Sequence, residues 1–279
     1  MNIIRKYINL LIESSNTGWD ELNNIIMLLK SVNKFNEQNK RKDEEELISE
    51  YINIVENEGY ESIGFGHNRI VFSKPTLPWV IKITIDSDFD WDYANKIEYN
   101  KYFDDFRDNS ILTKVYSFDT NTSLWIIQEK VKKIESIETL KLLFPLFSKN
   151  LEILSIKTGL NTQFNDVYDY WDLISNLILT INHYKLFYEN NRYKEESILN
   201  IFLQYLSKIN QNYSESQILT SLKKFNLLNV TNDILYVSNH LYTIEVADLS
   251  LSNIGYSETI LNNNLNTGFK AIKIFDYAE

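Results

Sequence analysis

Ser62-Ile63-Gly64-Phe65-Gly66-His67-Asn68-Arg69-Ile70-Val71-Phe72, followed across Lys74-Pro75-Thr76-Leu77-Pro78 by Trp79-Val80-Ile81-Lys82-Ile83, decides how this chain folds. Both runs are rich in β-branched and aromatic residues and the segment between them carries prolines, so two strands joined by a turn are predicted. The first run begins at a two-glycine bend. Glycine lacks a Cβ, so backbone at such a bend can approach a phosphate closely; a simple hairpin bulge is the plainer alternative. Lys82 sits mid-strand among apolar neighbours, where an ammonium without a counter-charge is costly. It therefore needs an anion, either a carboxylate or a phosphate. Glu98 is the candidate, on a helix predicted over about Tyr93 to Asp105.

A second informative stretch is Asp248-Leu249-Ser250-Leu251-Ser252-Asn253, followed after a predicted hairpin by Ile274-Phe275-Asp276. It places a carboxylate and a carboxamide in one short loop and a second carboxylate at the end of an apolar strand. Such a set can hold divalent cations against a nucleoside triphosphate and orient a hydroxyl nucleophile. A turn and a cap would use the same residue types. The order of the upstream glycines and lysine gives the site reading its weight.

Together these residues resemble the protein-kinase-like superfamily, which includes eukaryotic-type protein kinases and small-molecule kinases such as the aminoglycoside and choline phosphotransferases. The resemblance covers about Tyr60 to Val131 and Ile244 to Glu279. It implies a glycine-rich loop at Gly64, Gly66, Arg69 and Val71, and a strand lysine at Lys82 with Glu98 as its helix partner. It also implies an adenine-receiving strand and hinge over Trp125 to Val131, with Gln128, Glu129 and Val131 as nucleotide-binding residues, the backbone of Glu129 to Val131 extended and facing an apolar slot, and Val71 and Ile81 or nearby aliphatics as its roof. Asp248 matches the catalytic loop, and Asn253 and Asp276 match the metal ligands. The implied cofactors are ATP and Mg2+, oxygen ligands suiting that hard cation.

Departures accompany the match. Arg69 stands where the protein kinases have a third glycine. It reads as a solvated strand residue or as a guanidinium fork reaching a phosphate or a carboxylate. Val246-Ala247-Asp248 stands for His-Arg-Asp, and Asp276-Tyr277-Ala278 for Asp-Phe-Gly. With so little chain after Asp276, no activation segment is expected. The long interval from Glu129 to Asp248 leans toward an atypical or small-molecule-like kinase.

Composition bounds the remaining classes. At 279 residues, with 44% hydrophobic and 14% aromatic side chains, the chain can bury a real core. It has no cysteine, which excludes disulfides, thiolate metal sites and cysteine nucleophiles. The histidines His67, His183 and His240 are scattered, against a histidine-built zinc site. A formal net charge of −10 argues against broad binding to nucleic acid or anionic lipid. No apolar run approaches the roughly 20 residues of a membrane span, and the amino terminus does not read as a signal peptide. A cytoplasmic location is expected. The heavy use of Asn, Ile, Lys and Tyr resembles coding in an AT-rich genome such as a bacteriophage, which would place the protein in the host cytoplasm.

The predicted fold is α+β: a two-lobed, kinase-like arrangement with an N-terminal helical extension over 1–58. The β-rich nucleotide-binding small lobe and hinge follow over 59–131. A mainly helical large lobe, carrying the catalytic loop and metal site, occupies 132–279. In the extension, Ile4 to Ile12 and Leu22 to Leu29 show helical stripes, with a break at Asn16-Thr17-Gly18 and a loop over Asn33 to Lys42. A third helix, Glu44 to Glu58, closes on Gly59. The extension reads as a buttress for the small lobe or a partner surface. Further helices are predicted at Tyr168–Tyr188, Glu195–Lys208 and Ser214–Phe225, with Trp171 in the core. Short strands are predicted around Ile234–Val237, Thr243–Val246, Thr259–Leu261 and Phe269–Phe275. The function expected is ATP- and Mg2+-dependent phosphoryl transfer to a hydroxyl, first of a protein serine or threonine, with a small-molecule alcohol as alternative. A pseudokinase that binds nucleotide or acts as a scaffold is the rival from another class, and a helical interaction protein is the third.

Overall fold

A computed structural model describes residues 18–34, 43–65, 68–85, 92–100, 102–103, 111–187, 191–242, 249, 251–257, 261 and 265–274. The fold is α+β, and the chain divides into two units. One comprises residues 1–102 and 114–130; the other comprises 103–113 and 131–277, with the last two residues shared between them. The passage from one to the other falls between Lys130 and Val131, and the N-terminal helices belong with the sheet that follows them.

The first unit is a five-stranded antiparallel sheet of β1 (Glu61–Phe65), β2 (Arg69–Ser73), β3 (Trp79–Thr84), β4 (Val115–Phe118) and β5 (Trp125–Glu129), in the order β1-β2-β3-β5-β4. Helix α1 (18–34) and helix α2 (Glu44–Asn57) cover one face. Their stripes, Leu22, Ile25, Leu29 and Val32 from α1 and Leu47, Ile48, Tyr51 and Val55 from α2, are buried against Phe72, Trp79, Ile81, Ile83, Trp125 and Ile127. The three-and-four spacing of the helix stripes and the period of two along the strands are what make both faces meet. Asp43 starts α2 by accepting the Glu46 amide at 2.9 Å. Gly59, at φ 80°, ends it: the Gly59 amide bonds Glu56 O at 2.9 Å and the Tyr60 amide bonds Val55 O at 3.1 Å. That pair of bonds needs a left-handed residue between them, which glycine adopts without strain. Helix α3 (Asp92–Asn100) joins β3 to β4 and lies on the opposite face of the sheet.

The second unit holds the strand β6 (Lys132–Lys133) and then α4 (Ile137–Leu143), α5 (Pro145–Thr158), α6 (Val167–Phe187), α7 (Asn191–Ile209), α8 (Glu215–Lys224) and α9 (Asn232–Tyr242). Two short strands follow, β7 (Ile254–Tyr256) and β8 (Ile272–Ile274), which complete a three-stranded antiparallel sheet in the order β6-β7-β8. Ser214 and Gln217 form a reciprocal capping box on α8. Tyr170, Trp171, Leu173, Ile174, Leu177 and Ile178 bury the face of α6 that the sequence marks as apolar. Gly255 allows β7 to approach β6: a Cβ there would lie 2.5 Å from Lys132 O.

Several local expectations are corrected. Ile234 to Val237 is not a strand but part of α9; four apolar residues, three of them β-branched or aromatic, do not distinguish a strand from one turn of a buried helix. Phe269 to Ala271 belongs to a 3-10 segment, Leu265–Ala271, so strand begins only at Ile272. Asn33 and Lys34 continue α1 rather than opening a loop; Gly18 is the first described residue of that helix, and Asn16 and Thr17 lie outside the described residues. Leu261 is helical. The expected strand Thr243–Val246 and the first stripe, Ile4 to Ile12, lie outside the described residues. Among the described residues no helix is long and apolar enough to cross a membrane.

Asp233, in the first turn of α9, is 2% exposed and accepts the Phe147 amide at 3.0 Å and the Ile234 amide at 3.1 Å. It thereby caps the start of α5, which Pro145 opens without a side-chain cap of its own. Burial lifts its carboxyl from 3.8 to about 6, with the backbone donors pulling the other way. The folded chain therefore holds a proton where the unfolded chain has lost it. This contribution to stability is fully present below the unfolded value and is lost as pH rises through about 6. Asp233→Asn keeps an acceptor for the Phe147 amide and does not titrate. Relative to the parent, it should gain up to about 3 kcal/mol between pH ~4 and ~7, read by urea unfolding at each pH. Parallel pH profiles for the two proteins would show that Asp233 is not the titrating group.

Candidate functional site

The alternation of β3 sends Val80, Lys82 and Thr84 to the face opposite α1 and α2, while Trp79, Ile81 and Ile83 enter the core beneath those helices. Ile81 therefore does not share a face with Lys82, as an aliphatic roof would require; Val80 does. Cross-strand register places Val71 and Ile126 beside Lys82, Arg69 beside Thr84 and Gln128 beside Val80. Helix α3 brings Glu98 over this polar patch.

Glu98 is completely buried, and donors from three strands converge on it. Lys82 Nζ lies 3.2 Å from Oε1 and 3.1 Å from Oε2. Arg69 Nη1 donates to Oε1 at 2.8 Å, and Gln128 Nε2 donates to Oε2 at 2.5 Å. An ionised carboxylate only accepts, so the Gln128 amide must present its nitrogen to Glu98. Its own Oε1 is buried with no partner among the described residues. Lys82 is 5% exposed, Arg69 9% and Gln128 1%, so the group is held in a low-dielectric setting where each charge depends on its neighbours.

A second layer surrounds the carboxylate. Asn95, three residues before Glu98 on the same helical face, accepts from Arg69 Nη1 at 3.3 Å. Its amide donates to Thr84 Oγ1 at 3.1 Å and to Ser123 O at 3.0 Å. The sequence does not mark Asn95 or Thr84 as site residues. The only legible signal is that Asn95 shares a face with Glu98.

The other expected residues fall as follows. Gly64 lies in β1, and a Cβ there would meet nothing within 4 Å, so packing does not demand a glycine. Gly66, Asp248 and Asp276 lie outside the described residues. Val71 is partly buried on the Lys82 face. Glu129 ends β5, its amide bonded to Lys114 O at 2.8 Å, and the Lys130 amide bonds Pro78 O at 2.8 Å. Lys130 and Val131 belong to neither a helix nor a strand, and β6 begins at Lys132.

In the second unit, Asn253 is 6% exposed and ends a 3-10 turn, Leu251–Asn253, just before β7. Ile254 pairs with Ile274, the last residue of β8. The buried indole of Trp171 donates to Leu249 O at 2.7 Å, which pins the carbonyl next to Asp248. Trp171 is a core residue, as its 3% exposure requires, and a clamp on this loop. Among the described residues no group of three or more His, Asp or Glu is arranged to hold a metal ion.

The chain matches no protein-family profile, no curated protein and no solved structure.

The convergence on Glu98 makes its removal costlier than that of either cation. Glu98→Ala brings Lys82 and Arg69 together without the carboxylate between them and should cost roughly 3–5 kcal/mol. Lys82→Met leaves Glu98 with Arg69 and Gln128 and should cost less than half as much. Urea unfolding of both variants checks the ranking, and equal losses would show that Lys82 alone sustains the buried carboxylate.

Proposed function

We propose that this chain is an ATP- and Mg2+-dependent phosphotransferase that moves a γ-phosphoryl group to a hydroxyl. A protein serine or threonine is the first acceptor to test, and a small-molecule alcohol the second. The observation that carries this reading is the Lys82–Glu98 ion pair, at 3.1 Å, on a strand that follows Gly64 and Gly66 in the sequence. A helix carboxylate that fixes a buried strand lysine presents a cation of set position, which phosphate binding needs. The strand order β1-β2-β3-β5-β4, with α3 between β3 and β4, supports a kinase-like lobe in the same reading.

In this reading Lys82 binds the α- and β-phosphates, with Gly64 and Gly66 leaving backbone room above them. Val71, the Glu129–Val131 segment and neighbouring aliphatics receive adenine. Arg69 and Gln128 serve the nucleotide through Glu98, since both donate to it. Asp248 orients the acceptor hydroxyl and takes its proton. As the new bond from the acceptor oxygen to the γ-phosphorus forms, the bond from that phosphorus to the bridging oxygen breaks, and ADP leaves with the bonding pair. Asn253 and Asp276 are the oxygen ligands that suit Mg2+, which when bound neutralises charge on the phosphates. Holding the reactants in line supplies most of the acceleration.

One sequence observation favours a second reading. Val246 and Ala247 stand before Asp248 where a histidine and an arginine are usual in the kinases this chain resembles. A nucleotide-binding pseudokinase would tolerate that change.

Incubation with γ-labelled ATP and Mg2+, alone and with cell extract, distinguishes these. Transfer to protein or to a small metabolite identifies the acceptor class; nucleotide binding without transfer favours the pseudokinase; no binding at all removes both readings. Asp276→Asn should weaken Mg2+-dependent nucleotide binding in a thermal-shift titration. Asp248→Asn should leave that binding nearly intact and lower transfer by about 100-fold or more. Full transfer by Asp248→Asn would overturn the assignment of the acceptor loop.

A further inference from the structure

Among the described side chains of helix α3, only Ala94, Ile97 and Tyr99 offer apolar surface to the sheet. The helix spans nine residues, too few to persist as an isolated helix. Ala94 is buried, and Tyr99 stacks on Phe118 with ring centroids 4.6 Å apart. The most deeply buried positions are polar: Asn95 and Glu98 are both at 0% exposure. The position of Glu98, and with it the geometry of the Lys82 pair, therefore depends on what holds Asn95.

Part of that hold is Ser123 O, in the turn between β4 and β5. Ser123 has φ 62°, a left-handed conformation that a non-glycine residue keeps only when its surroundings impose it. Asp119 imposes it. Its backbone carbonyl accepts the Ser123 amide at 3.1 Å. Its carboxylate accepts the amides of Asn121 at 3.0 Å and Thr122 at 3.2 Å, and also the Thr122 hydroxyl.

Asp119 is itself 2% exposed, and a buried carboxylate needs donors on every side. The rest come from the N-terminal helices. Asn33 Nδ2, near the end of α1, donates to Asp119 Oδ1 at 2.8 Å. The Tyr51 hydroxyl, from α2, donates to Asn33 Oδ1 and lies 3.4 Å from Asp119 Oδ2. Burial, together with the Asp119 charge, pushes the Tyr51 phenol well above its ordinary pKa, so it stays a donor.

A continuous run of hydrogen bonds thus leads from α1 and α2 through Asp119, the β4–β5 turn and Asn95 to Arg69, Glu98 and Lys82. We propose that the N-terminal helices brace α3 through this run, with Asp119 and Asn95 as positioning residues for the Lys82–Glu98 pair. Helices α1 and α2 are then more than a cover for the sheet: they set the helix on the far side of it. The brace stands without the phosphotransferase reading; only its consequence for transfer rests on that reading.

Hydrogen exchange of the full chain, followed by mass spectrometry, tests it. Asn33→Ala should raise exchange of the α3 amides by about tenfold while β3 and α6 stay unchanged. Tyr51→Phe removes only a hydroxyl, and should move α3 in the same direction by a smaller factor. In an Asn95→Ala background the run is already cut, so Asn33→Ala should add nothing further to α3 exchange. Unchanged α3 exchange, a uniform rise across the chain, or full additivity in the double variant would overturn the proposal. If the parent transfers phosphate, Asn33→Ala should lower kcat with acceptor KM unchanged. A parent without transfer removes the phosphotransferase reading and leaves the exchange result to stand on its own.

Discussion

A buried carboxylate that must collect donors organises the first unit. Glu98 is fully buried on a helix that lies over a sheet, and ionised oxygen in that setting is stable only when its hydrogen-bonding capacity is filled. The sheet fills it from three strands, with Arg69 from β2, Lys82 from β3 and Gln128 from β5. Those strands are neighbours in the sheet order, which is why three donors can reach one group. The arrangement gives Lys82 a fixed position and direction, which a mobile surface lysine does not have.

The two faces of that sheet solve different problems. One is closed by apolar stripes from α1 and α2 and supplies the core that holds the strands together. The other carries the polar cluster under α3. The faces do not act independently. Asp119 receives donors from α1, and the turn it shapes presents Ser123 O to Asn95 on the other face. A turn at the end of two strands is where a connection can pass from one face to the other without crossing the sheet.

Helices whose stripes and caps agree are legible from the residues. Glu44–Asn57, with Asp43 before it and Gly59 after it, is one such case, and Glu215–Lys224, with the Ser214–Gln217 capping box, is another. Both ends carry local chemistry that does not depend on the rest of the fold. The region around Ile234 misleads for the opposite reason: its apolar run is short, and only packing against α5 and α6 shows that one helical face is buried. Ile81 reads as an aliphatic neighbour of Lys82 and lies one residue out of phase with it, because a strand buried on both faces shows no alternation in its sequence.

The order of residues alone establishes that a lysine set among apolar strand residues needs an anion, and it makes Glu98 the candidate to supply it. Both follow from the cost of burying charge, which is local. That Arg69 and Gln128 share the same anion, and that Asn95, Ser123 and Asp119 tie it to helices lying before it in the chain, emerges only when the strands assemble. Those contacts join residues far apart in sequence, and a polar side chain carries no mark of which distant partner will satisfy it. The order of strands across the sheet, not the order of residues along the chain, chose those partners.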